Sequence, residues 1–156
     1  VNIYYQPNFV VEKAKDFWPN VNLLHFSTAM IESLSINFKN KVDKKTLFVN
    51  LRDDCFDVVY FKENKLHFYN SFDFHTKEDF IYFLLISIEQ LMLNPEDVNL
   101  IISGNIKETD QTYKMIHQYI KNYSFISRND NYSYSFVLDE LKYYKYYILF
   151  NALQCE

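Results

Sequence analysis

With 156 residues, 49% of them apolar, 23% charged and a formal charge of −4, the chain has the size of one domain, able to bury roughly 70% of its extended surface around a single core. That balance excludes long disorder and gives no general attraction for nucleic acid or anionic lipid, which needs clustered Lys and Arg. No apolar run approaches the roughly 20 residues of a membrane-spanning helix and no signal-peptide pattern is present. A cytoplasmic location is therefore expected, although a chain that starts at Val1 rather than Met leaves room for a removed N-terminal portion.

In chain order, residues 1–21 read as a connecting segment, with a short apolar strand around Val1 to Tyr5 and a mixed stretch ending at Trp18, Pro19 and Asn20. A domain over residues 22–156 follows. Leu23, Leu24, Phe26, Met30, Leu34 and Phe38 recur at helical spacing and predict a helix over 22–38. Lys39, Lys41, Lys44 and Lys45 then make a solvated loop. Strands are predicted over 46–51, 55–61 and 65–72, joined by turns at Arg52–Asp54 and Lys62–Asn64 as an antiparallel meander. Thr76 with Asp79 has the spacing of a capping box that opens a helix running to about Met92. Val98 to Ser103 reads as a strand stopping at Gly104, Thr109 and Asp110 start another helix, Ser124 to Ser127 a weak strand, and 138–153 a closing helix. A meander followed by αβα alternation implies an α/β fold, a mixed sheet with helices on both faces.

The order of elements resembles one half of the actin-like ATPase fold, its ribonuclease-H-like unit. The second phosphate loop of that superfamily reads Val-Asp-Leu-Gly-Gly-Gly-Thr-Phe-Asp-Val. Residues 49–58 read Val-Asn-Leu-Arg-Asp-Asp-Cys-Phe-Asp-Val, matching without a gap at Val49, Leu51, Phe56, Asp57 and Val58. "LIISGNI", residues 100–106, resembles the turn that supports adenosine, with Ser103 and Gly104 at its two glycine positions. Through "NLLHFSTAMIESL", "TLFVNLRDDCFDVVYF" and "KYYKYYILFNALQCE" the chain is also similar to an uncharacterised Bacteroidetes family with a domain-of-unknown-function label and an actin-like fold. It resembles the C-terminal subdomain of that family. The resemblance implies a fold, and no activity.

If nucleotide binding is retained, the resemblance implies Asn50, Arg52, Asp53, Asp54, Asp57 and Gly104 as the cofactor-binding residues, with ATP and Mg²⁺ as cofactors. The departures argue against retention. Glycines let backbone amides approach a pyrophosphate, whereas Arg52, Asp53 and Asp54 stand there instead. A carboxylate about 4 Å from a phosphate charge costs about 4 kcal/mol at an effective dielectric of 20. Mg²⁺ held by Asp53, Asp54 and Asp57 would rescue the site, but strand alternation puts Asp54 on the side opposite the other two, so solvated turn charges are expected. No metal is expected elsewhere: Cys55 and Cys155 read as packed thiols, and His25, His67, His75 and His117 stand at no ligand spacing. No nucleophile stands beside a base. "YYKYY" reads as core, or as an interaction surface. The expected function is a non-catalytic interaction or regulatory scaffold without a cofactor, packing on a protein partner, its own N-terminal lobe or a second copy. The alternative is an ATPase or kinase-like protein completed by an N-terminal lobe.

Overall fold

The computed structural model describes residues 3–39, 41 and 45–152. Five strands, β1 (Thr46–Leu51), β2 (Cys55–Lys62), β3 (Lys65–Asp73), β4 (Asn99–Gly104) and β5 (Asn122–Phe125), form one mixed sheet in the order β3-β2-β1-β4-β5. β2 runs antiparallel to both β1 and β3, while β1–β4 and β4–β5 are parallel. The meander is as predicted. Its second turn is tight because Glu63 and Asn64 take φ of 53° and 60°, the left-handed pair that suits a two-residue hairpin.

Parallel pairing of β1 with β4 requires a helical crossover, supplied by α3 (Lys77–Gln90). The Thr76 side chain accepts from the Asp79 amide while Asp79 Oδ2 accepts from the Thr76 amide, completing the predicted capping box. At the other end Met92, at φ 56°, donates to Glu89 O and Leu93 to Ile88 O, the paired bonds that close a helix through one left-handed residue. The helix α4 (Gln111–Tyr119) links β4 to β5 and starts at Asp110 as expected.

Alternation along the strands divides the core between the two faces. Leu47, Val49, Leu51, Phe56, Val58 and Tyr60 pack with Phe80, Leu84 and Ile88 of α3 and Ile116 of α4. Phe48 and Val59 point the other way, toward Met30 and Leu34 of α2 (Phe26–Phe38) and toward Tyr143, Tyr147 and Ile148. Helices cover both faces, as the sequence implied.

Two expectations fail. The closing helix over 138–153 is broken into 3₁₀ turns at Phe136–Glu140 and Tyr143–Lys145 followed by α5 (Tyr147–Asn151), with Leu141 and Lys142 extended between them. Its apolar spacing is real, but buried polar groups dictate the path. Asn151 Nδ2 donates to Tyr147 O at 2.7 Å, its Oδ1 accepts from Asn129 Nδ2 at 2.7 Å and from Asn37 Nδ2 at 3.0 Å, and Tyr143 OH accepts from the Asn129 amide. Leu153 and Cys155 lie outside the described residues. At the other end no strand forms at residues 3–5, while Val1 and Asn2 lie outside the described residues. A helix, α1 (Asn8–Phe17), forms within the segment expected only to connect, and none of its residues is buried.

Candidate functional site

The hairpin tip between β1 and β2 meets the turn after β4 at one end of the sheet, where Leu51 pairs with Gly104. The sole glycine of the chain stands there at φ +94°, and a Cβ on it would come within 2.0 Å of Leu51 O. Only glycine permits both the angle and the approach. Beside this seam opens a cleft of about 450 Å³, lined by Asn50, Arg52, Asp53, Gly104 and Asn105 together with Phe26 of α2 and Lys145, Tyr146, Ile148 and Leu149 of the C-terminal segment.

Of the six residues singled out in sequence, Asn50, Arg52, Asp53 and Gly104 meet at this cleft. Asp57 lies beneath its floor with no exposed surface. Its carboxylate accepts from Arg52 Nε and Nη2, both at 3.1 Å, from Tyr69 OH at 3.1 Å and from Asn50 Nδ2 at 3.3 Å. Asn50 in turn accepts from Ser103 Oγ at 3.0 Å. The two-pronged grip of guanidinium on carboxylate is the strongest ion-pair geometry available to side chains. Arg52 is further fixed by a bond to Ser71 Oγ at 3.0 Å and by stacking 5.3 Å over the Phe26 ring. The cation at the first glycine position is therefore turned back onto its own hairpin.

Asp53 is exposed, and its Oδ1 accepts from Asn105 Nδ2 across the seam. Asp54 is exposed outside the cleft, its backbone carbonyl accepting from the Phe74 amide. The three carboxylates do not converge, and no metal-holding cluster of His, Cys, Asp or Glu exists among the described residues. Burial raises the Tyr69 hydroxyl to about 12, reinforced by the Asp57 charge and by the bond Tyr69 donates to it, against an opposing bond from Ser27. Burial likewise pushes the Cys55 thiol up, away from nucleophilic use. The site offers shape and hydrogen bonds, with its one buried carboxylate already saturated.

Sequence reasoning did not find Phe26, Asn105, Lys145, Tyr146 and Leu149 as lining residues. "YYKYY" carried a signal, since its mixed character suits a wall that is half core and half surface. Phe26 carried none, being one more apolar residue in a helical stripe.

A family model described as "Protein of unknown function (DUF3822)" matches residues 1–123. No curated protein matches the chain. Among solved structures, a Bacteroides thetaiotaomicron protein described as having an actin-like ATPase fold and unknown function superimposes on 94% of this chain with a TM-score of 0.71 and 23% identity. The chain spans 51% of the length of that protein. The fold is thus actin-like, and no helix of the described residues is long and apolar enough to cross a membrane.

Proposed function

The chain belongs to the family of proteins of unknown function DUF3822, and from that premise we propose that it is a non-catalytic, actin-like scaffold whose cleft engages protein rather than nucleotide. The observation that carries this reading is the closure of Arg52 on Asp57. A phosphate loop works by presenting unobstructed amides. Here the equivalent tip is occupied by a side chain folded over it, and the neighbouring Asp53 puts a carboxylate on the cleft wall. Breaking the Arg52–Asp57 pair to free a cation for phosphate would leave a fully buried carboxylate without its counter-ion, which costs several kcal/mol. Repulsion by Asp53 adds about 4 kcal/mol at 4 Å and a dielectric of 20, nearly a thousandfold in affinity.

Calorimetric titration with ATP and Mg²⁺ tests the reading. No heat of binding is expected up to millimolar nucleotide, and micromolar affinity overturns the proposal. If ATP does bind, the double change Asp53→Gly with Asp54→Gly separates two causes: tighter binding marks the carboxylates as repulsive, and weaker binding marks them as holding a bridging cation.

A further inference from the structure

A second, smaller cavity of about 90 Å³ lies where the end of α2, the segment after β5 and α5 meet, and Asn37, Lys41, Arg128, Asn129, Asp130 and Tyr147 are among its lining residues. It shares none of them with the cleft. Asn37 is 7% exposed and Tyr147 1%. Asn37 Nδ2 donates to Tyr147 OH at 2.8 Å and to Asn151 Oδ1 at 3.0 Å, while Asn37 Oδ1 is buried with no donor. Turning that amide over is no remedy, because its oxygen would then face Asn151 Oδ1, which has no hydrogen to give. The neighbouring amide is satisfied: Asn129 Nδ2 donates to Asn151 and Asn129 Oδ1 accepts from the Asn131 amide. Tyr147 OH accepts from Asn37, and its own hydrogen meets no acceptor among the described residues. Buried polar groups are nearly always paired, so an orphan of this kind marks a missing partner. Lys41 and Asp130 are exposed and have no charged partner among the described residues, whereas Arg128 is already held by Asp139 and Leu138 O.

We propose that this cavity binds the side-chain carboxamide of a free α-amino acid, glutamine or asparagine, with the charged backbone groups of that ligand at the rim. The orphans ask for one donor, to Asn37 Oδ1, and one acceptor, for the Tyr147 hydroxyl. A primary carboxamide presents both on neighbouring atoms, its NH₂ giving to Asn37 and its oxygen receiving from Tyr147. A carboxylate has acceptors only and would meet Asn37 Oδ1 oxygen to oxygen, so the corresponding acids are refused. At roughly 30 Å³ per water the cavity holds about three waters, enough for the amide end of the ligand and too little for all of it. The α-carboxylate and α-ammonium therefore stay outside, where Lys41 and Asp130 supply the two opposite charges. Those charges select the free amino acid over the same side chain in a polypeptide, whose main chain carries neither. The assignment does not rest on the scaffold reading, which nucleotide titration tests separately.

Calorimetric titration of the chain with L-glutamine and with L-asparagine should show sub-millimolar binding of at least one of them. The matching acid, L-glutamate or L-aspartate, should bind at least about tenfold more weakly, since it lacks the donor around which the site is built. The N-acetyl amide of the same residue keeps the carboxamide but neither backbone charge, and should also bind several-fold more weakly. Lys41→Ala and Asp130→Ala should each lower the affinity several-fold and leave the melting temperature in place, because both side chains are exposed. Asn37→Ala would also strip Asn151 of a donor and so mix folding with binding; the comparison of amide with acid reads the same contact on the unaltered protein. Absence of binding by either amide at millimolar concentration overturns the proposal and leaves water as the occupant. So does an acid that binds as tightly as its amide, or an affinity indifferent to both Lys41 and Asp130. A capped form that binds as tightly as the free amino acid overturns it too, and assigns the carboxamide to a polypeptide side chain.

Discussion

Removing Arg52 in two backgrounds measures how firmly the hairpin tip is closed. Asp57 has no exposed surface, while the Arg52 side chain is 42% exposed. The pair therefore falls between a fully buried ion pair, whose rupture costs about 3–5 kcal/mol, and a surface pair worth about 0–1 kcal/mol. In Arg52→Ala the carboxylate keeps Tyr69 and Asn50 but loses two charge-assisted bonds, each worth about 1.5–3 kcal/mol when made singly and less when shared by one guanidinium. A loss of about 3 kcal/mol is expected. In an Asp57→Asn background the same removal should cost under about 1 kcal/mol, since no buried charge is left behind and the guanidinium was already free to turn to water. The coupling is then about 2 kcal/mol, well above the 0.5 kcal/mol by which independent sites deviate. Urea unfolding followed by far-ultraviolet circular dichroism reads all four proteins. Equal costs in the two backgrounds would refute the closure and return Arg52 to the status of a surface residue.

Gly104→Ala should destabilise by at least about 2 kcal/mol, since φ +94° and a 2.0 Å approach to Leu51 O leave the new methyl no relaxed position; urea midpoints check this, and a loss below 0.5 kcal/mol would contradict the geometry. Thr76→Ala should cost about 1 kcal/mol by opening the capping box, read as a lower melting temperature with the sheet intact. Tyr69 should ionise near pH 12, and Tyr69→Phe should remove one residue's share of the late tyrosinate absorbance, the rest coming from Tyr134 and Tyr147, which burial also raises. The folded value of Tyr69 lies above the unfolded value near 10, so its contribution to stability is whole below pH 10 and is lost as pH rises toward 12. Tyr69→Phe should flatten that loss.

The sheet was legible because its signals are local. Alternation of Leu47, Val49 and Leu51 in β1, the β-rich run of β2 between two short polar turns, and the Thr76–Asp79 spacing each declare themselves within a few residues, and all three elements form where the pattern placed them. The segment 138–153 misled because an apolar spacing near 3.6 was read without its polar partners. Tyr143 and Asn151 bond to Asn129, and Asn151 to Asn37, contacts that span from 14 to 114 positions of chain and bend the path away from one helix. α1 went unread for the opposite reason: its stripe faces outward, so no core requirement marks it. At the candidate site, alternation grouped Asp53 with Asp57, but β1 ends at Leu51 and β2 starts at Cys55, so Asp53 belongs to the turn and bonds Asn105, while Asp57 lies within β2 under the fork of Arg52.

The amide cluster around Asn151 has one more consequence. Its side chain is fully enclosed, giving through Nδ2 to Tyr147 O and receiving through Oδ1 from Asn37 and Asn129. Replacing that amide by a carboxylate barely changes volume or shape, yet it sets an oxygen against a carbonyl oxygen 2.7 Å away and seals a negative charge among aromatic rings. An aspartate at this position would therefore loosen the C-terminal wall of the cleft through charge alone, with no change of size.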